Sequence, residues 1–112
     1  MNQKELFVNG EGNRYFAENL DFELKQDLST DVLGSIVTRL LIKPKSVMEF
    51  GCSSGYRLSL LKDIFQDCRR FVGIEASEKA VAYGKSKFGL ELYCGDISAR
   101  SGGGGFLILS LI

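Results

Sequence analysis

The sequence predicts an α/β fold in which about four parallel strands form one sheet and helices pack against it. Short apolar runs bounded by glycine alternate with longer segments whose apolar residues recur at helical spacing. This alternation is typical of a parallel sheet with right-handed crossover connections. The chain has 112 residues, 45% of them hydrophobic, which is enough for one domain with a modest core.

The first clear helix is predicted to begin at Ser29 or Thr30, either of which can cap it, with Asp31 favourable in its first turn. Its apolar residues fall on one stripe at helical spacing: Val32, Leu33, Ile36, Val37, Leu40 and Leu41. Pro44 is expected to end this helix. The short apolar run 47–50 that follows is predicted to be the first buried strand.

The remaining elements continue the alternation. They are a helix marked by Leu58, Leu61 and Phe65, a strand over 70–75, a helix that Ser77 caps, a strand over 90–94 and a strand over 106–112. Gly84 lowers the helix propensity of its segment by about 1 kcal/mol relative to Ala, so close packing is expected to select it. We divide the chain into a loose lead-in over 1–28, with one short helix, and an α/β domain over 29–112.

Composition excludes several classes of function. The sequence has no histidine, which removes Ser-His-Asp hydrolases and His-ligated zinc enzymes. Three cysteines without a C-x-x-C pair argue against a disulfide framework and against a zinc site, so no metal is predicted. Fourteen basic residues balance fourteen acidic ones, and no overall field favours nucleic acid or anionic lipid. Without a signal peptide or a membrane-spanning run, we expect a soluble cytoplasmic protein.

The charge is unevenly distributed along the chain. Residues 1–31 hold seven acidic and three basic side chains, a net charge of −4, so the remainder carries +4. We interpret the asymmetry as two solvated faces rather than as a surface for a charged partner.

Three features are expected to meet beyond the carboxyl ends of the strands, where open α/β sheets bind ligands. A turn of small residues over 51–55 follows the first strand. Glu75 ends the second strand, where its carboxylate can accept hydrogen bonds from both hydroxyls of a ribose. Asp96 follows the third strand and can accept a hydrogen bond from an exocyclic amine such as that of adenine. Together these features predict an adenosine-binding site.

The turn departs from two common phosphate-binding motifs. In the G-x-G-x-x-G motif of dinucleotide-binding folds, Ser53 would replace the middle glycine, and the last glycine would fall at Ser54 or Tyr56. The P-loop motif G-x-x-x-x-G-K-[ST] is absent from the sequence. A nicotinamide-dinucleotide-binding domain is therefore the weaker alternative.

Three stretches resemble, in order, three motifs of the class I S-adenosylmethionine-dependent methyltransferases. They are VMEFGCSSGYRLSLL at 47–61, FVGIEASEKAVAYGKSKF at 71–88 and LELYCGDIS at 90–98. The resemblance covers about half of the chain. It implies a Rossmann-like sheet with flanking helices and S-adenosyl-L-methionine (SAM) as the cofactor.

The resemblance also implies roles for the matched positions. The implied cofactor-binding residues are Glu49, Gly51, Cys52, Ser53, Gly55, Glu75, Ala76, Asp96 and Ile97. Glu49 and the turn 51–55 would lie against the methionine part of the cofactor. Glu75 would hold the ribose hydroxyls with Ala76 beside the adenine, and Asp96 and Ile97 would frame the adenine ring.

The turn departs from the usual family pattern at Ser53, whereas Cys52 stands at a position that the family often fills with a small residue, sometimes Cys. Ser53 stands where the family usually has its middle glycine, and a small residue is still expected to fit. We interpret Cys52 as a packing residue rather than as a nucleophile. No catalytic residue is assigned, because the sulfonium already activates the methyl group and alignment with the acceptor supplies most of the catalysis.

The family sheet has seven strands, so the resemblance implies a truncated methyltransferase domain over 29–112 that lacks its second half. By its spacing from Asp96, the run 106–112 matches the fourth family strand; by its preceding glycines, it matches the fifth. We favour the fourth. An apolar edge strand invites pairing, so we expect the chain to self-associate through 106–112, to dock on a partner or to be marginally stable alone.

The hypothesis from sequence is methyl transfer from SAM to an unidentified acceptor, a small molecule or a sugar. One alternative is a non-catalytic SAM-binding fragment or partner-binding module. Turnover on an acceptor would distinguish the enzyme from the fragment, and preferential binding of NAD would support the weaker nicotinamide alternative.

Overall fold

Four strands and four helices make up the described part of the chain. The computed structural model describes residue 10, residues 12–95 and the backbone of 106–110. In chain order the elements are α1 (Gly12–Leu24), α2 (Val32–Arg39), β1 (Ser46–Phe50), α3 (Tyr56–Ile64), β2 (Arg70–Glu75), α4 (Glu78–Phe88), β3 (Glu91–Cys94) and β4 (Phe106–Ser110). The predicted α/β class and the alternation of strands and helices are confirmed.

The strands form one parallel sheet in the order β3-β2-β1-β4. Phe50 at the end of β1 lies opposite Ile74 of β2, and Glu75 at the end of β2 lies opposite Cys94 of β3. The carboxyl ends of these three strands therefore meet along one edge of the sheet, next to Glu49, the turn 51–55 and Glu75.

Apolar side chains are buried on both faces of the strands. Met48, Phe50, Val72 and Ile74 form one cluster. The other cluster joins strands and helices through Val37, Val47, Cys52, Leu58, Leu61, Phe65, Val81, Leu90 and Leu92. Because successive side chains of a strand point to opposite faces, the nearly continuous apolar runs of β1 and β2 fill both clusters.

Helix α2 differs from its prediction in its cap, its end and its buried face. Asp31 is the N-cap and accepts a hydrogen bond from the Gly34 amide at 2.7 Å, and the helix ends at Arg39. Of the predicted stripe only Val37 is buried, whereas Val32, Ile36, Leu40 and Leu41 are exposed. The side chain of Asp31 also binds Arg57 of α3, and the helix buries the face that carries Gly34 and Val37.

The lead-in contains a longer and better anchored helix than the sequence predicts. Helix α1 has 13 residues, and its Phe16 ring is buried 5.7 Å from the Tyr83 ring of α4. The expectation of a solvated acidic face is wrong for Glu23 and Asp31, which are both buried. None of the helices in the described ranges is long and apolar enough to cross a membrane.

Candidate functional site

The turn 51–55 is held against the end of β2 by its backbone. The amides of Gly51 and Cys52 both donate to the carbonyl of Ile74, at 2.8 and 3.4 Å. Gly51, Ser53 and Gly55 have φ values of 69°, 54° and 83°, in the left-handed region that favours glycine. Three such residues within five positions produce the sharp bend between β1 and α3.

Close packing of α4 supports this turn from one side. A Cβ atom at Gly84 would overlap the carbonyl oxygen of Ser54 and a methyl group of Leu92. The prediction that close packing selects Gly84 is therefore confirmed. The helix it belongs to is capped by Ser77, as predicted, through a 3.1 Å hydrogen bond from the Ala80 amide.

Glu75 connects the turn with the start of α4. Its Oε1 accepts a hydrogen bond from the Ser53 amide at 2.8 Å, and its Oε2 accepts one from the Ser77 amide at 2.7 Å. The carboxylate is buried. Each of its oxygens has a second lone pair, so Glu75 can accept further hydrogen bonds from a ligand.

Gly95, which directly follows β3, also contacts Glu75. The Gly95 amide donates to the Glu75 carbonyl at 3.0 Å, and Ala76 is half-buried beside Glu75. Asp96 and Ile97, which the sequence predicts at the adenine ring, lie outside the described residues.

Cys52 belongs to the core rather than to a reactive site. It is buried within the larger apolar cluster, and burial raises the pKa of its thiol well above the usual range. A buried thiol of high pKa is a poor nucleophile. These observations agree with its predicted packing role.

A buried ion-pair cluster lies next to the turn, and sequence analysis did not identify it. Arg57 donates from Nε and Nη2 to the two carboxylate oxygens of Asp31, at 2.6 and 2.8 Å, and from Nη1 to Oε2 of Glu49. The Tyr56 hydroxyl donates to Asp31 at 3.3 Å. One signal was available, because an arginine in the first turn of a helix opposes the helix dipole unless a carboxylate binds it.

The two carboxylates of this cluster differ in electrostatic environment. Burial alone would raise the pKa of Asp31, but the hydrogen bonds from Arg57 and the Gly34 amide hold it below its usual value. Burial raises the pKa of Glu49 to about 7, although Arg57 opposes the shift. Oε1 of Glu49 is buried and has no hydrogen-bond partner among the described residues. Glu49 therefore retains an oxygen that can hold a proton or accept a donor.

Helix α1 contributes two further polar contacts that local sequence patterns could not reveal. Glu23 accepts hydrogen bonds from the hydroxyls of Ser53 and Ser54, both at 2.7 Å. Asn13 accepts a hydrogen bond from the Ser77 hydroxyl at 2.6 Å and one from the Lys79 amide at 3.2 Å. The helix thus reaches both turns that flank Glu75.

A groove of about 480 Å³ lies away from these residues, between the C-terminal parts of α2 and α3. Its lining includes Leu41, Pro44, Ile64 and Phe65, and none of the predicted site residues. This groove is therefore separate from the polar residues at the carboxyl ends of β1 and β2.

Methyltransferases are among the solved structures with a similar fold. The plantazolicin methyltransferase BpumL in complex with SAH matches with a TM-score of 0.59 and 20% identity, over 94% of this chain and 44% of that chain. The plantazolicin methyltransferase BamL, in complex with a triazolic desmethylPZN analogue and SAH, matches with a TM-score of 0.58 and 17% identity, over 84% of this chain and 37% of that chain. A complex between the Haloferax volcanii Trm112 methyltransferase activator and a protein assigned as a methyltransferase matches with a TM-score of 0.53 and 16% identity. The match covers 90% of this chain and 42% of that chain.

These matches show the fold of the chain. It has a class I methyltransferase-like fold, as the sequence resemblance implies, and it spans less than half the length of these solved structures. No protein-family model matches the sequence. A search of curated protein sequences also finds no match.

Proposed function

We propose that the chain binds SAM at the edge formed by the turn 51–55 and Glu75, as the cofactor-binding part of a methyltransferase. The observation that carries this proposal is the position of Glu75, whose two oxygens join the amides of Ser53 and Ser77 at the carboxyl ends of β1 and β2. Open α/β sheets bind their ligands at this edge. The similar BpumL and BamL structures hold SAH.

The described side chains fit the chemical groups of SAM. The remaining lone pairs of Glu75 suit the two ribose hydroxyls. The unpartnered Oε1 of Glu49 suits a cationic donor such as the ammonium group of the methionine part. Gly51 is exposed at the start of the turn, and its lack of a side chain allows close approach to a ligand.

Bound SAM would supply a methyl group that its sulfonium has already activated. The protein's part is to fix the direction of that methyl group, because alignment of donor and acceptor supplies most of the catalysis. In this proposal Glu75 and Ala76 hold the adenosine end, and Glu49 with Gly51, Cys52, Ser53 and Gly55 holds the methionine end. Asp96 and Ile97 are proposed to frame the adenine ring.

For the acceptor we propose a small molecule or a sugar; the similar BpumL and BamL structures were solved with desmethylPZN analogues beside SAH. We also propose that the enzyme is cytoplasmic. We propose that it self-associates through β4, which has one neighbour, β1, within the described sheet.

In the alternative, the chain binds SAM without catalysing methyl transfer. Release of SAH in the presence of candidate acceptors would distinguish an enzyme from a binding module.

Isothermal titration calorimetry with SAM and SAH tests the shared step. Glu75→Gln is expected to weaken both ligands by tenfold or more, because an amide replaces an anionic acceptor. Glu78→Gln provides the matched control, since Glu78 is exposed three positions away in the first turn of α4. Failure of the unaltered chain to bind either ligand would overturn the proposal, and tighter binding of NAD would favour the nicotinamide alternative.

A further inference from the structure

Helix α1 spans the two turns on either side of Glu75 with one polar anchor near each end. Glu23 binds the turn 51–55, and Asn13 binds the start of α4. The anchors are ten residues apart, about 15 Å along a helix axis. We propose that α1 completes the cofactor site, with Glu23 positioning its methionine end and Asn13 its adenosine end. This inference rests on the proposed function.

The contact of Glu23 controls the conformation of the turn. Glu23 lies 30 positions before Ser53 in the sequence, and it is only 5% exposed. One oxygen binds the hydroxyl of Ser53, and the other binds the hydroxyl and, at 3.4 Å, the amide of Ser54. Ser53 has a left-handed φ of 54°, which a serine rarely adopts without support. Hydrogen bonds from the Ser53 hydroxyl to Glu23 and from the Ser53 amide to Glu75 supply that support.

The contact of Asn13 acts on the other end through Ser77. The Asn13 oxygen accepts hydrogen bonds from the Ser77 hydroxyl and the Lys79 amide. Ser77 in turn donates its amide to Oε2 of Glu75. Asn13 therefore fixes the residue that orients the proposed ribose acceptor.

Phe16 connects the two anchors by packing. It is buried on α1 and contacts the ring of Tyr83 on α4. We expect this apolar contact to keep α1 in place when either polar anchor is changed, so that each anchor can be tested separately. Glu18, which pairs with Arg14 on the exposed side of the same helix, provides a matched control.

The test compares SAH with adenosine, which has no methionine part. Glu23→Gln is expected to lower the affinity for SAH about tenfold and to change the affinity for adenosine less than twofold. Asn13→Ala is expected to lower both affinities by a similar factor. Glu18→Gln is expected to change neither affinity. Affinities are measured by calorimetry for SAH and by NMR titration for adenosine, with thermal melting of each variant to confirm folding. A role that is merely structural would reduce both affinities equally in the Glu23 variant.

A second variant removes the same contact from the other partner. Ser53→Ala removes the hydroxyl that donates a hydrogen bond to Glu23. It is expected to lower the affinity for SAH but not for adenosine. Unchanged SAH affinity in both variants would overturn the inference, and so would tighter SAH binding, which would mean that Glu23 competes with the ligand. Absence of SAH binding by the unaltered chain would instead overturn the proposed function and this inference with it.

Discussion

Arg57 of α3 and Glu49 of β1 form an ion pair between two side chains that are 6% and 2% exposed. The same guanidinium binds both oxygens of Asp31, at the start of α2. One cation therefore joins a strand and two helices at the site. A buried ion pair of this kind contributes little net stability, but loss of one partner leaves uncompensated buried charge.

Arg57→Met is expected to lower the free energy of unfolding by about 3–5 kcal/mol, because it leaves the buried Asp31 carboxylate without its cation and Glu49 without its hydrogen-bond donor. Arg57→Lys is expected to give an intermediate loss, because an ammonium cannot form the two-pronged contact with Asp31. Chemical denaturation measures both effects. Arg70→Met is the control, since Arg70 pairs with Glu91 at the surface, and it is expected to lower stability by less than about 1 kcal/mol. Equal losses for Arg57→Met and Arg70→Met would contradict the prediction.

The raised pKa of Glu49 predicts stability that falls between pH 5 and pH 8. The folded chain holds a proton on Glu49 up to a pKa of about 7, whereas the unfolded chain releases it near 4.5. The folded state therefore binds more protons in this window, and its stability declines as pH rises, by up to about 3 kcal/mol. The lowered pKa of Asp31 acts below this window, where stability is lost as pH falls.

Denaturation at a series of pH values checks this prediction. Glu49→Gln is expected to flatten the stability curve between pH 5 and pH 8, because its side chain does not titrate. Glu91→Gln is the control: hydrogen bonding to Arg70 lowers the pKa of Glu91 to about 2, below the window, so its variant should keep the decline. A decline that persists in Glu49→Gln would assign it to another group.

Gly84→Ala is expected to destabilise the chain despite the better helix propensity of alanine. Propensity alone would add about 1 kcal/mol to the stability of α4. The new Cβ would overlap the Ser54 carbonyl, which belongs to backbone held by neighbouring contacts, so overpacking should cost about 1–3 kcal/mol or more. Ser86→Ala, at an exposed position of the same helix, is expected to be slightly stabilising. Denaturation curves of the two variants that shift in the same direction would disprove the packing argument.

Local patterns were sufficient to predict the parallel sheet and the placement of Glu75 beside the turn. Glycine-bounded apolar runs marked β1 and β2, and Ser77 marked the start of α4, because each signal depends on neighbours in sequence. The buried face of α2 could not be predicted, because its N-cap Asp31 contacts Arg57, 26 positions away, and such a contact leaves no local pattern in the sequence.

The contacts of α1 were missed for the same physical reason. Glu23 meets Ser53 and Ser54 across 30 and 31 positions, and Asn13 meets Ser77 across 64. A polar residue on an amphipathic helix looks the same in sequence whether solvent or a buried hydroxyl binds it. Only the packing of α1 against α4 decides between the two.

Two substitutions of Ser53 separate the backbone of the turn from its hydrogen bond to Glu23. Both Ser53→Ala and Ser53→Gly remove the hydroxyl that donates a hydrogen bond to Glu23. Alanine must still adopt the φ of 54°, whereas glycine adopts it without a steric penalty, so the glycine variant should be more stable than the alanine variant by about 1 kcal/mol. Chemical denaturation gives the difference. Ser59, half-buried within α3, provides the reverse control, because Ser59→Gly should be less stable than Ser59→Ala. The same order at both positions would show that the left-handed backbone at Ser53 does not govern the stability of the turn.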